Sequence, residues 1–286
     1  MAIYDLARSD LNQLMLSDPV DSSVRTSIIN YLVGDGLLHG NDTVQVQASG
    51  SLDPSTQVYI ADTPTATVAT DANLDAIIMD PAVSKLTVTG SDGLIIGVGT
   101  GDPTIDISGT TGNDVVMGGS GGDTILGGAG FDTLVGGDGS DSIQAGSGDH
   151  QLLQGGDGGD TLVGGSGTFD TLTGGKGDDV LIGGSGAHQL LEGGGGNDTF
   201  YAGTGGDTLM GGSGNDTFNV SIATGGGSDT IVGGGGKDQV AFNTDYPGNS
   251  NISTNHGITT VTFGDGQTMT LSGINDLVFT DKTVKL

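Results

Sequence analysis

Between Gly109 and Ala241 a large apolar residue returns at about every ninth position, framed by glycine and aspartate. The row is Val116, Ile125, Leu134, Ile143, Leu162, Leu181, Phe200, Leu209, Phe218, Ile231 and Val240, each two places after an Asp. Representative units are GGSGGDTIL from Gly118, GGAGFDTLV from Gly127, GGKGDDVLI from Gly174 and GGSGNDTFN from Gly211. GTTGNDVVM from Gly109 opens the run and GGGGKDQVA from Gly233 closes it. Asp holds the sixth place and the apolar residue the eighth. A flexible glycine linker would not keep the two in phase.

Six Gly- and Asp-rich residues predict a tight turn, because glycine reaches positive φ without strain. The last three predict a short strand with one side chain inward. A single unit cannot bury that side chain, but stacked units can. Two units per coil predict a flattened right-handed parallel solenoid with turns along both edges. Asp carboxylates of successive turns on one edge then stand about 4.8 Å apart. A hard cation between turns can collect both, together with turn carbonyls.

The two edges are not alike. Units from 118, 136, 155, 174, 193, 211 and 233 fall on one edge and carry Asp123, Asp141, Asp160, Asp179, Asp198, Asp216 and Asp238. Units from 109, 127, 145, 164, 183, 202 and 224 fall on the other, and three of them have ten residues: AGSGDHQLLQ, GGSGTFDTLT and GGSGAHQLLE. Aligned on Leu153, Leu172 and Leu191, their sixth places hold Gln151, Asp170 and Gln189, with His150, Phe169 and His188 inserted alongside. This predicts one complete cation row and one interrupted in its middle. The inserted ladder is an aromatic stack replacing the ion, a contact patch, or a metal site. The imidazoles, two coils and ~10 Å apart, are too distant to share an ion.

Outside the repeats the pattern changes. Ile3, Leu6, Ala7, Leu11, Leu14 and Met15 predict a helix, and Val24, Ile28, Ile29, Leu32 and Val33 a second after Asp18-Pro19. Residues 1–40 would form a cap over the open sheet end or a docking segment. Residues 41–108 alternate as short strands: TVQVQA from Thr43, QVYIAD from Gln57, AIIMD from Ala76, KLTVTG from Lys85 and GLIIGVG from Gly93. They extend the solenoid with cation-free coils or form a separate small β-domain. Residues 242–286 predict two strands around a Gly-Asp-Gly turn and a last strand ending in Leu286, a closing cap.

Composition narrows the function. Glycine supplies 58 of 286 residues, and 34 of the 35 acidic residues are Asp, Glu192 being the one Glu. Ordinary solvated charge mixes the two acids. Asp alone beside glycine points to turns that present short carboxylates. A net charge of −28 argues against nucleic-acid partners, which need clustered Lys and Arg. No apolar run is long enough to span a bilayer. The N-terminus carries no secretory leader pattern. Without Cys there are no disulfides and no thiolate chemistry. HExxH does not occur, there is no GxSxG nucleophile elbow (GGSGG from Gly118 is a repeat turn), His39 and His256 stand alone, and no enzyme is expected.

The nonapeptide in register over Gly109 to Ala241 resembles that of the repeats-in-toxin (RTX) family. The resemblance implies an all-β parallel β-roll whose turns bind several Ca2+ ions. Carried onto this sequence, the ligands are Asp114, Asp123, Asp132, Asp141, Asp160, Asp170, Asp179, Asp198, Asp207, Asp216, Asp229 and Asp238. The closing segment is similar to the uncleaved type I secretion signal of many RTX proteins, so the expected location is extracellular or cell-surface. Low cytosolic calcium would keep the chain threadable for export, and calcium outside would fold it. Two roles follow as expectations. One is a structural protein that polymerises head to tail in a biofilm matrix or surface layer. The other is a monomeric effector or adhesin bound to a host or cell-surface polysaccharide target.

Overall fold

The computed structural model describes residues 3–7, 43–48, 58–61, 64–70, 76–79, 83–91, 93–222, 227–246, 251–264 and 266–286. Every regular element among them is a strand. The chain divides into two compact units, Met1–Ile143 and Gln144–Leu286.

In the first unit, Val58–Ala61, Ala76–Met79, Ile95–Gly97, Val115–Ser120 and Thr133–Asp138 pair parallel in one sheet. Thr65–Ala69, Lys85–Gly90, Thr104–Thr110 and Thr124–Leu126 pair parallel in the other. The chain therefore alternates between two sheets, as a parallel β-solenoid requires. Strands before residue 109 lie in the same sheets as strands of the repeats. Thr65–Ala69 and Thr104–Thr110 were not foreseen from the sequence.

The N-terminal expectation of a helix is corrected where it can be checked. Ile3–Ala7 is a strand, antiparallel to Thr43–Ala48, with Tyr4 opposite Val46 and Leu6 opposite Val44. The stretch satisfies a period of two as well as a helical one. Pairing with a Val-rich strand outweighs local helix preference. The rest of the expected helical segment, including its second run, lies outside the described residues.

In the second unit, Leu152–Asp157, Thr171–Lys176, Leu190–Gly195, Thr208–Ser213 and Thr230–Gly235 form one parallel sheet. Thr161–Val163, Val180–Ile182, Thr199–Tyr201, Thr217–Val220 and Gln239–Phe242 form the other. Register places like on like. Leu153, Leu172, Leu191, Leu209 and Ile231 make one file, and Leu162, Leu181, Phe200, Phe218 and Val240 the facing one. The whole predicted inward row is fully buried.

Phe200 and Phe218 stack with ring centroids 4.6 Å apart. Both are completely buried and rank among the largest side chains in the core. Phe218→Ala should therefore lower the unfolding free energy of the calcium-saturated protein by about 3–5 kcal/mol in a denaturant titration. A loss under about 1 kcal/mol would mean that this file does not act as the core.

The C-terminal segment does more than close the sheet. Thr268–Ser272 joins Thr230–Gly235 in parallel, and Asp276–Val278 joins Gln239–Phe242. One further coil thus follows residue 241. Ile258–Thr262 then returns antiparallel to Thr268–Ser272, forming the expected hairpin around Gly264 and Gly266. Ile252–Asn255, unforeseen, adds antiparallel at that edge, and Thr283–Lys285 at the edge of the other sheet. Antiparallel additions at both sheets end the parallel stacking.

Candidate metal centre

The sixth-place aspartates are held by the strands that follow them. All twelve named above are buried, at most 3% exposed. Burying so many carboxylates without cations nearby is costly unless every oxygen is satisfied. Except at Asp123, where both oxygens lack a hydrogen-bond partner, Oδ1 is accounted for in a repeating way. Asp179 Oδ1 accepts the Asp160 N–H at 2.8 Å, Asp198 Oδ1 that of Asp179 at 2.9 Å, and Asp216 Oδ1 that of Asp198 at 2.9 Å. Asp238 Oδ1 accepts from Asp216, and Asp141 Oδ1 from Asp123. Each of these carboxylates is thus tied to the turn one coil earlier.

The second oxygen is different. Oδ2 of Asp123, Asp179, Asp198, Asp216 and Asp238 is buried without a hydrogen-bond partner. It lies against the first-place glycine of its own unit. A Cβ on Gly193 would stand 2.1 Å from Asp198 Oδ2 and 2.7 Å from the Gly211 carbonyl of the next coil. Gly174, Gly211 and Gly233 show the same pair of oxygens, from Asp179 and Gly193, Asp216 and Gly233, and Asp238 and Gly273. A carboxylate oxygen and a carbonyl oxygen from the next coil therefore face one small volume, and no protein donor answers Oδ2. That donor set suits a hard cation bound by oxygens. The residues present fit calcium: Oδ2 of these aspartates and the first-place carbonyls would hold it, and the ion would supply the charge the buried carboxylates lack. Among the described residues no three acidic or imidazole side chains cluster on one point. Turns stacked one coil apart supply carboxylates singly, so the remaining ligands of such a site are backbone oxygens.

Electrostatics agree. Loss of hydration on burial, then the neighbouring Asp141 and Asp102 carboxylates, push Asp123 up to about 7. Burial pushes Asp179 and Asp229 up to about 7, and Asp198 and Asp114 up to about 6. Asp132, Asp170, Asp207 and Asp216 are raised too, burial again leading.

Backbone shape separates the two kinds of turn. In units from 118, 136, 155, 174, 193, 211 and 233, the first three places belong to six-residue strands such as Thr171–Lys176. The second-place glycines there, from Gly119 to Gly234, have φ between 103° and 123°. The turn expected over six places is accordingly shorter in these units. In the three ten-residue units the left-handed residues are instead His150, Phe169 and His188, at φ 58°, 63° and 63°. His150 stacks on Phe169 at 5.3 Å, and Phe169 meets His188 edge-on at 5.1 Å. The inserted residues form a continuous aromatic ladder, with Phe169 half-exposed.

Two features escaped the sequence reading. Asn275 Oδ1 accepts the Asp238 N–H at 2.7 Å, the bond Asp makes elsewhere. Its stretch, TLSGINDLV from Thr270, carries Gly in the fourth place, Asn in the sixth and Leu in the eighth, a signal visible once Leu277 is aligned with Val240. A second, exposed ladder runs through the fifth places, where Asp178 Oδ1 accepts the Asn197 N–H, Asn197 Oδ1 that of Asn215, and Asn215 Oδ1 that of Lys237.

The family described as RTX calcium-binding nonapeptide repeat (4 copies) matches residues 106–134, 126–149, 154–187, 189–218 and 221–244. No curated protein matches the chain. Among solved structures, the extracellular lipase LipA from Serratia marcescens is similar at 21% identity and a TM-score of 0.22, over 61% of this chain and 43% of the lipase. The chain thus spans less than half of that lipase's length. The nonapeptide phase, the parallel solenoid and the matched segments between residues 106 and 244 together identify this stretch of the chain as RTX calcium-binding nonapeptide repeats.

Proposed function

We propose that the chain is a secreted, non-enzymatic structural protein that folds on meeting extracellular calcium and then associates with further copies of itself. The carrying observation is the file of buried aspartates whose Oδ2 atoms lack a partner. Such a file is unfavourable without cations and stable with them, so folding is tied to calcium outside the cell. Export by type I machinery suits a chain that stays unfolded until then. Association is supported by the backbone edges of the second unit: Ile252–Asn255 and Thr283–Lys285 terminate its two sheets. Unpaired strand edges are templates for another chain, and a head-to-tail contact that does not close produces a filament or layer.

Light scattering of the purified chain through a calcium titration tests this, with electron microscopy of the endpoint. The expected result is growth from an expanded monomer into regular fibres or sheets, reversed by chelator. Compaction to a stable monomer would overturn self-assembly and direct attention to a host or polysaccharide ligand.

A further inference from the structure

Repeats that look equivalent in sequence satisfy their sixth-place side chains in two ways. At Asp123, Asp179, Asp198, Asp216 and Asp238 the Oδ2 atom has no donor. At four other positions a donor from the same turn reaches the corresponding oxygen. The Thr110 hydroxyl donates to Asp114 Oδ2 at 2.6 Å, and the Gly128 N–H to Asp132 Oδ2 at 3.2 Å. The Gly146 N–H donates to Gln151 Oε1 at 2.9 Å, and the Gly184 N–H to Gln189 Oε1 at 3.0 Å.

The cause is local. Gly128, Gly146 and Gly184 are second-place glycines outside the left-handed region, unlike the second-place glycines of the first group. Their N–H groups point inward at the sixth-place side chain. Where the second-place glycine is left-handed, its N–H is turned away and Oδ2 is left bare. A donor in hydrogen-bond contact satisfies the oxygen that is left bare elsewhere, so these turns need no ion to offset an unpartnered buried oxygen. At Gln189 the side chain also fills the space: its Nε2 lies 3.2 Å from the point a Cβ on Gly164 would occupy, and Oε1 2.7 Å from it. Three of the turns concerned are plain nonapeptide or ten-residue units that carry the family's glycines, so side-chain identity at the sixth place does not decide the matter; Asp114 and Asp132 fall with the glutamines.

We infer that at Asp114, Asp132, Gln151 and Gln189 own-turn hydrogen bonds hold the coil in place of an ion, and that calcium loads turns whose sixth-place Oδ2 is left bare. This rests on the reading of the repeats as calcium sites and limits it. Asp114 and Asp132 are then structural acceptors rather than ligands. Asp170 and Asp207 keep a bare Oδ2 although Gly165 and Gly203 are outside the left-handed region, so that backbone shape permits the own-turn bond without ensuring it, and both lie outside the group of four.

The test uses the full chain. Native mass spectrometry at saturating calcium counts ions in wild type, D179N and D132N. Asn at 179 keeps the Oδ1 bond to Asp160 and loses only the bare oxygen, so D179N should bind at least one ion fewer. D132N should keep the wild-type count. Loss of an ion in D132N overturns the inference. Should D132N fail to fold, crystals of wild type grown in calcium decide, through anomalous scattering. Peaks beside Asp123, Asp179, Asp198, Asp216 and Asp238, and none between the turns of Asp114 and Asp132 or at Gln189, are expected. Peaks at the latter positions overturn the inference and leave the calcium reading intact. No peaks anywhere overturn both.

Discussion

Chelating calcium at neutral pH should abolish most of the β signal of this protein in far-ultraviolet circular dichroism, and restoring calcium should bring it back. The argument is one of magnitudes. At a hundredfold excess over its dissociation constant each site contributes about 2.7 kcal/mol to the folded state. On one edge five aspartates, Asp123, Asp179, Asp198, Asp216 and Asp238, carry a bare, buried Oδ2. Sites built on them would together supply roughly 13 kcal/mol, as much as the whole stability of an ordinary domain, about 5–15 kcal/mol. What opposes folding is unusually large: a net charge of −28 and 58 glycines, each losing more backbone freedom than any other residue. An unchanged spectrum in excess chelator would show that the aliphatic and Phe files hold the solenoid unaided.

Acid should replace calcium. In chelator, lowering the pH from about 7 to about 4 is expected to recover β structure. The folded values of Asp123, Asp179 and Asp229, about 7, and of Asp114 and Asp198, about 6, lie above the unfolded value of 3.8. The folded chain therefore binds more protons than the unfolded one in this window. The stability these groups add is fully present below about 4 and is lost as pH rises through 6 to 7. Protonation also removes repulsion along the file. With calcium present the sign reverses, since protons compete for the same Oδ2 atoms and the calcium midpoint should rise on acidification. A circular dichroism titration in chelator that shows no transition between pH 4 and 7 would contradict this account.

The sequence made most of the solenoid legible because its code is redundant. A residue that must face inward at every coil is written out again each time, so the files from Val116 to Val240 could be named in advance. Legibility failed where a residue satisfies two periods or none. Ile3–Ala7 fits both a helix and a strand, and only its distant partner Thr43–Ala48 decides. The coil of Thr268–Val278 hides because its sixth place holds Asn275 and its first three lack glycine. The site was legible as a set of aspartates but not as chemistry. Asp132 and Asp141 are equivalent in the repeat, yet Asp132 meets the Gly128 N–H, a contact set by the φ of a glycine and invisible in its identity.

The coil itself imposes a counting rule. Two units complete one turn of the solenoid, so Asp160 contacts Asp179, 19 residues on, and Asp198 contacts Asp216, 18 residues on. An odd number of inserted or deleted units would carry every downstream aspartate of the second unit to the opposite side. Turns shaped for a bare carboxylate would then stack on turns that supply their own donor. Such a change is a frameshift in space rather than in codons. The protein's length is therefore quantised: it can grow or shrink by whole coils, and half a coil is lethal to every register that follows.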